Sequence, residues 1–163
     1  MASEITDRDS GLPFRGRCPA RQHVRMHTLF VYGTLRHPPL IEGLLGRPVA
    51  AVAATLPGHR AAVLSGRAYP GLVVDPEASA AGAVVAVDDA ELAVLDDFEG
   101  SEYTRTHVTV TTEGGEPRAE AYLLTGPSRS LATADTWSLD AFVADHAAAW
   151  VRQADPGTHH PTA

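Results

Sequence analysis

The chain predicts an α+β domain whose sheet is curled or barrel-like. Three observations carry that expectation. Short strand patterns outnumber helical ones, and Pro-Gly, Ser-Gly and Asp-Pro breaks separate them. The long, strict β-α-β alternation of a doubly wound sheet is absent.

Taken in order, residues 28–32 form a compact apolar strand broken at Gly33. Residues 38–45 suit a short helical turn, with proline tolerated at its start. Further strands are expected over 49–56, 60–64, 72–74 and 82–87. Thr104, Thr106, Val108, Val110 and Thr112 share one face of a two-residue alternation. Gly114-Gly115 then turns the chain into a strand over 119–124, as in a hairpin. One helix is expected over 89–98, with Asp88 as N-cap and Glu91 completing a capping box. Its apolar stripe is Leu92, Leu95 and Phe98, and Gly100 suits its stop. A second helix starts after Ser138 and carries Phe142, Val143, His146, Ala149 and Trp150 on or near one face.

Residues 1–25 show no hydrophobic period and are expected to be a disordered leader. Met26 stands just before the first strand and could serve as a start. Residues 153–163 read as a disordered tail, leaving one domain over 26–152. Neither a membrane-length apolar run nor the apolar stretch of a secretory signal is present. The single cysteine, Cys18, cannot form an internal disulfide, so the expected location is cytoplasmic.

All 13 basic residues are Arg, against 20 acids. Setting aside the five Arg and three acids of residues 1–25 leaves 8 basic and 17 acidic side chains. A domain this acidic is repelled by phosphate backbones, which argues against nucleic-acid binding. Eight His are scattered along the chain and the domain has no Cys, so a metal site is not expected.

Three segments carry candidate chemistry. In Phe30-Val31-Tyr32-Gly33-Thr34-Leu35-Arg36 a buried strand stops at a glycine, which can adopt backbone angles closed to other residues. Successive amides in such a turn can converge on an anion, although an ordinary strand exit reads the same way. Around Leu95-Asp96-Asp97-Phe98-Glu99-Gly100-Ser101-Glu102-Tyr103, four carboxylates crowd a helix C-terminus, where the macrodipole disfavours them by ~0.3–1 kcal/mol. Helix end and like charges would both raise a carboxyl pKa towards the range of a general base. A solvated acidic helix end is the plainer alternative. Glu99 is favoured over Asp96 because it lies between the last apolar anchor, Phe98, and a glycine. In Ser65-Gly66-Arg67-Ala68-Tyr69-Pro70-Gly71, Tyr69 could wall a pocket or simply sit in a turn.

In order and spacing, these segments resemble the γ-glutamylcyclotransferase-like superfamily, and most closely its AIG2-like branch. Phe30 to Arg36 is similar to its strand-and-loop signature. Leu56-Pro57-Gly58-His59 and Gly66 to Gly71 are similar to its next two blocks, and Leu95 to Gly100, with Tyr103 and Arg105, to the segment bearing its catalytic glutamate. The likeness spans roughly residues 28–151. It implies a small mixed β-barrel flanked by helices, with one pocket at a barrel end. It implies cleavage of a small-molecule γ-glutamyl amide without water: the substrate's α-amino group attacks its own γ-carbonyl, giving 5-oxoproline and a free amine. Glu99 would then be the acid/base, the backbone of Tyr32, Gly33, Thr34 and Leu35 would hold the α-carboxylate or oxyanion, and Tyr69 and Tyr103 would wall the pocket. No cofactor, metal, nucleic acid or membrane is required. A non-catalytic binding module, or a γ-glutamyl acyltransferase or hydrolase, remains as the alternative.

Overall fold

The structure, a computed structural model, describes residues 23–154. The expected leader lies outside the described residues except for 23–25. β1 (Met26–Val31) ends in the apolar run Leu29–Val31, which is buried on both faces of the sheet. Phe30 joins Tyr32, Leu56, Leu72 and Val110 in the cluster inside the curl, where Ala54, Ala61, Ala80, Ala119 and Ala121 keep the interior narrow. Leu29 and Val31 join Leu35, Ile41, Leu92 and Leu95 in a second cluster, formed where helices cover the outer face.

A 3-10 turn over Thr34–Arg36 leads into α1 (Pro38–Leu45), which stops at Gly46 with φ 66°. β2 (Ala51–Leu64) and β3 (Pro70–Asp88) are longer than the four short strands expected from the sequence. Pro57-Gly58 and Asp75-Pro76 do not end strands. They mark a bulge, where pairing jumps from Pro57↔Ser79 to His59↔Val74. α2 (Asp89–Glu99) begins with the expected capping box, Asp88 accepting from the Glu91 amide at 2.9 Å and Glu91 from the Asp88 amide at 3.0 Å.

β4 (Tyr103–Thr109), β5 (Thr111–Thr112) and β6 (Arg118–Leu124) follow. The expected hairpin forms between β4 and β6, but the alternating strand over 104–112 does not run straight. It divides at the fully buried Val110: β4 pairs with β6, while β5 crosses to pair with β2. The order is β4-β6-β1-β3-β2-β5, so one stretch of chain supplies both borders of the sheet and curls it. The β1–β6 pairing is parallel and the other pairings are antiparallel. β7 (Ala132–Thr136) adds to β2.

The second expected helix is two helices. α3 (Leu139–Asp145) is capped by Ser138, and α4 (Ala147–Ala154) follows a break at His146, whose φ of −131° is not helical. Val143, His146 and Ala149 are exposed rather than part of the apolar face, and Phe142, Ala147 and Trp150 make the inward contacts. α4 also runs to Ala154, into the stretch expected to be tail; the remainder of that stretch lies outside the described residues.

Candidate active site

The end of β1, the turn before β3, the end of α2 and the start of β4 meet at one rim of the curl. There they line a small, partly open pocket. Tyr32, Gly33, Thr34, Leu35, Tyr69, Glu99 and Tyr103 all line it, so the predicted site residues are brought together. Pro70, from the same segment as Tyr69, and Tyr122 line it as well, and Tyr122 carries no signal in the sequence. Tyr122 arrives through the parallel β1–β6 pairing, its carbonyl accepting from the Tyr32 hydroxyl at 2.7 Å.

Glu99 faces this cavity by helical periodicity. Leu92 and Leu95 are buried at 4% and 0% exposure, and Glu99 follows at positions i+7 and i+4 of the same stripe. A carboxyl therefore occupies a position where the pattern calls for another leucine. It is partly accessible through the cavity mouth, yet protein surrounds it. Burial pushes its pKa from 4.5 up to about 8. The helix end and neighbouring carboxylates, expected to cause such a rise, are not what drives it. Two of the other acids, Glu102 and Asp96, are paired where they stand. Glu102 accepts from Arg67 at 2.8 Å and from the Tyr69 hydroxyl at 2.6 Å, and these contacts hold its pKa below the ordinary value. Asp96 takes both oxygens' bonds from Arg105, at 3.0 and 3.1 Å, and a third from the Tyr122 hydroxyl at 2.8 Å.

The Asp96 contacts also fix the last turn of α2 against β4 and β6. Arg105 continues to Glu120 at 3.3 Å, and His27 bridges Glu120 at 3.2 Å to Asp89 at 2.7 Å. The walls are held by tyrosine hydroxyls. Tyr103 donates to the Pro70 carbonyl at 2.6 Å, and burial, followed by the nearby Glu99 charge, raises its pKa. Tyr32 is raised well above 10 for the same two reasons in the same order.

Gly33 does not use the left-handed freedom expected of it, since its φ is −120°. Space is the reason for glycine: a Cβ would lie 2.6 Å from Pro70 Cγ. The 3-10 turn bonds Arg36 N–H to Gly33 O and His37 N–H to Thr34 O, both at 3.0 Å. The amides of Gly33, Thr34 and Leu35 precede those bonds and have no acceptor within the turn, as at any helix start. All three residues line the cavity. A buried acid, the amides that open a 3-10 turn and tyrosine walls can together bind a small anionic molecule and move a proton on it. Among the described residues no three His, Cys, Asp or Glu side chains stand close enough to share a metal ion.

Residues 29–139 match the family described as gamma-glutamyl cyclotransferase, AIG2-like. AIG2-like protein A of Arabidopsis thaliana is 38% identical over 91 residues, covering 55% of each chain. The chain thus spans about half the length of the curated relatives it matches. A solution structure from Arabidopsis thaliana superposes with a TM-score of 0.62 at 28% identity, over 83% of this chain and 92% of that one. An AIG2-like protein from Mus musculus superposes with a TM-score of 0.54 at 23% identity, over 70% and 89%, a likeness of fold. No helix among the described residues is long and apolar enough to cross a membrane.

Proposed function

Since this chain belongs to the AIG2-like gamma-glutamyl cyclotransferase family, we propose that it splits a γ-glutamyl amide into 5-oxoproline and a free amine, with Glu99 as general acid/base. The observation that carries the proposal is a buried carboxyl, its pKa pushed up to about 8, facing a pocket that the turn Gly33–Leu35 also lines. A carboxyl raised this far is a much stronger base than an ordinary glutamate, so taking a proton from the substrate's ammonium costs correspondingly less.

The substrate's α-nitrogen attacks its own γ-carbon and closes a five-membered lactam. Glu99 takes the proton that this nitrogen sheds and hands it to the departing nitrogen as the old C–N bond breaks. Atoms balance without water. Ionised Glu99 with an ammonium substrate carries the same protons as neutral Glu99 with a free amine, so both reach one reactive complex. The amides of Gly33, Thr34 and Leu35 are suited to hold the α-carboxylate or the developing oxyanion, with Tyr69 and Tyr103 as walls. Holding the glutamyl chain bent towards the ring makes the attack intramolecular, an advantage that reaches effective molarities of ~10⁵–10⁸ M. The nucleophile belongs to the substrate, so one protein carboxyl suffices.

The test incubates wild type and Glu99→Gln with a panel of γ-glutamyl amines and peptides. The expected result is 5-oxoproline from at least one compound with wild type and a loss of ~10²–10⁴-fold in the variant. Glutamate as product would indicate hydrolysis. Binding without turnover across the panel would indicate a binding module.

A further inference from the structure

Glu99 borders a second cavity, of about 90 Å³, lined by Thr34, Tyr69, Phe98, Glu99, Tyr103 and Trp150. Thr34, Tyr69, Glu99 and Tyr103 also line the inner cavity, so the carboxyl stands on the wall that the two spaces share. A proton shuttle needs that position. It must reach both the attacking and the departing nitrogen on the one tetrahedral carbon, while the departing group extends into the outer space.

The outer space is walled by rings. Trp150, on α4, packs edge-to-face against Tyr69 with centroids 5.7 Å apart, and against Phe98 at 5.8 Å. It thereby joins the turn before β3 to the end of α2. Phe142 holds it from behind at 5.4 Å. Tyr69 and Tyr103 both spend their hydroxyls elsewhere, on Glu102 and the Pro70 carbonyl, and present their rings. Phe98, Tyr69 and Trp150 are only half-buried, so ring surface remains uncovered. Arg67, the nearby cation, is taken up by Glu102.

We infer that this outer cavity receives the leaving amine and selects an uncharged, apolar, ring-bearing amine, such as an arylalkylamine, over an amino acid. The inference rests on the cyclotransferase reading for its chemistry and on the Trp150 wall for its specificity. A carboxylate on the leaving group finds no cation among the six lining residues and meets Glu99 instead. A second ammonium pairs with the carboxylate that the reaction needs. A flat apolar group buries itself among the rings and leaves Glu99 to its proton.

The experiment compares γ-glutamyl-phenethylamide with γ-glutamylglycine on the full chain, using wild type, Trp150→Ala and Trp150→Phe. Wild type should turn over the phenethylamide at least about tenfold more efficiently. Trp150→Ala should lose about tenfold on it, chiefly through KM, and markedly less on γ-glutamylglycine. Trp150→Phe should recover most of the loss. Equal losses on both compounds, or a wild-type preference for γ-glutamylglycine, would overturn the inference while leaving the cyclotransferase reading intact. Should no compound yield 5-oxoproline, that reading fails, and calorimetry decides the cavity's role. Phenethylamide binding that weakens about tenfold in Trp150→Ala upholds it, and unchanged or undetectable wild-type binding refutes it.

Discussion

Glu99 and Glu102 stand three positions apart at one helix end and have opposite proton affinities. Burial pushes Glu99 up to about 8, while Arg67 and Tyr69 hold Glu102 below the ordinary carboxylate value. Two neighbouring carboxyls whose environments drive their pKa values apart have different jobs. Glu102 props Tyr69, and Glu99 is left to exchange protons. Glu102→Gln should therefore lose less than about tenfold in kcat, against ~10²–10⁴-fold for Glu99→Gln. Steady-state kinetics on one γ-glutamyl compound separates them, and a larger loss at Glu102 would reverse the assignment.

The pH profile follows from the same shift. With the substrate entering as ammonium, kcat/KM should rise as Glu99 ionises up to about 8 and fall once the substrate's own ammonium is lost. The optimum is thus narrow and mildly alkaline. A profile flat from about pH 5 to 9 would contradict a proton-shuttling role for this carboxyl.

Stability should carry the opposite trend. The folded chain holds the Glu99 proton more tightly than the unfolded chain, whose value is 4.5. That contribution is fully present below pH 4.5 and is lost as pH rises through about 8. Glu99→Gln cannot ionise and escapes the loss. At about pH 9 its Tm should exceed that of wild type by roughly 5–10 °C, from a few kcal/mol, with little difference near pH 5. Equal Tm values at both pH values would mean that the carboxyl is solvated.

Gly33→Ala tests the close approach at the turn. A Cβ there would meet Pro70 Cγ at 2.6 Å, so the turn must shift away from Pro70 at the start of β3. Overpacking of this kind costs ~1–3 kcal/mol, and displacement of the free amides should lower kcat/KM by more than about tenfold. Denaturant titration and kinetics measure both.

Much of this was legible in the sequence, because local rules governed it. The capping box at Asp88 and Glu91 and the stop at Gly100 bound α2 as expected, and the apolar run of β1 marks a strand covered on both sides. The position of Glu99 was legible; the cause of its shift was not. Helix end and like charges are visible in sequence, whereas burial depends on β1, Tyr69 and Tyr122, which arrive from remote parts of the chain. The same limit hid the division of the 104–112 strand. Nothing near Val110 distinguishes a straight strand from one whose second half crosses to β2. His146 misled because three-residue spacing continues through it while the backbone does not. Trp150 reads as core from its spacing, and only the fold brings it against Tyr69 and Phe98.

The most direct measurement follows the reaction in heavy-oxygen water. If the substrate closes on itself with Glu99 moving the proton, wild type releases unlabelled 5-oxoproline and Glu99→Gln releases almost none. Labelled glutamate from wild type, or 5-oxoproline formed equally fast by the variant, would contradict the account.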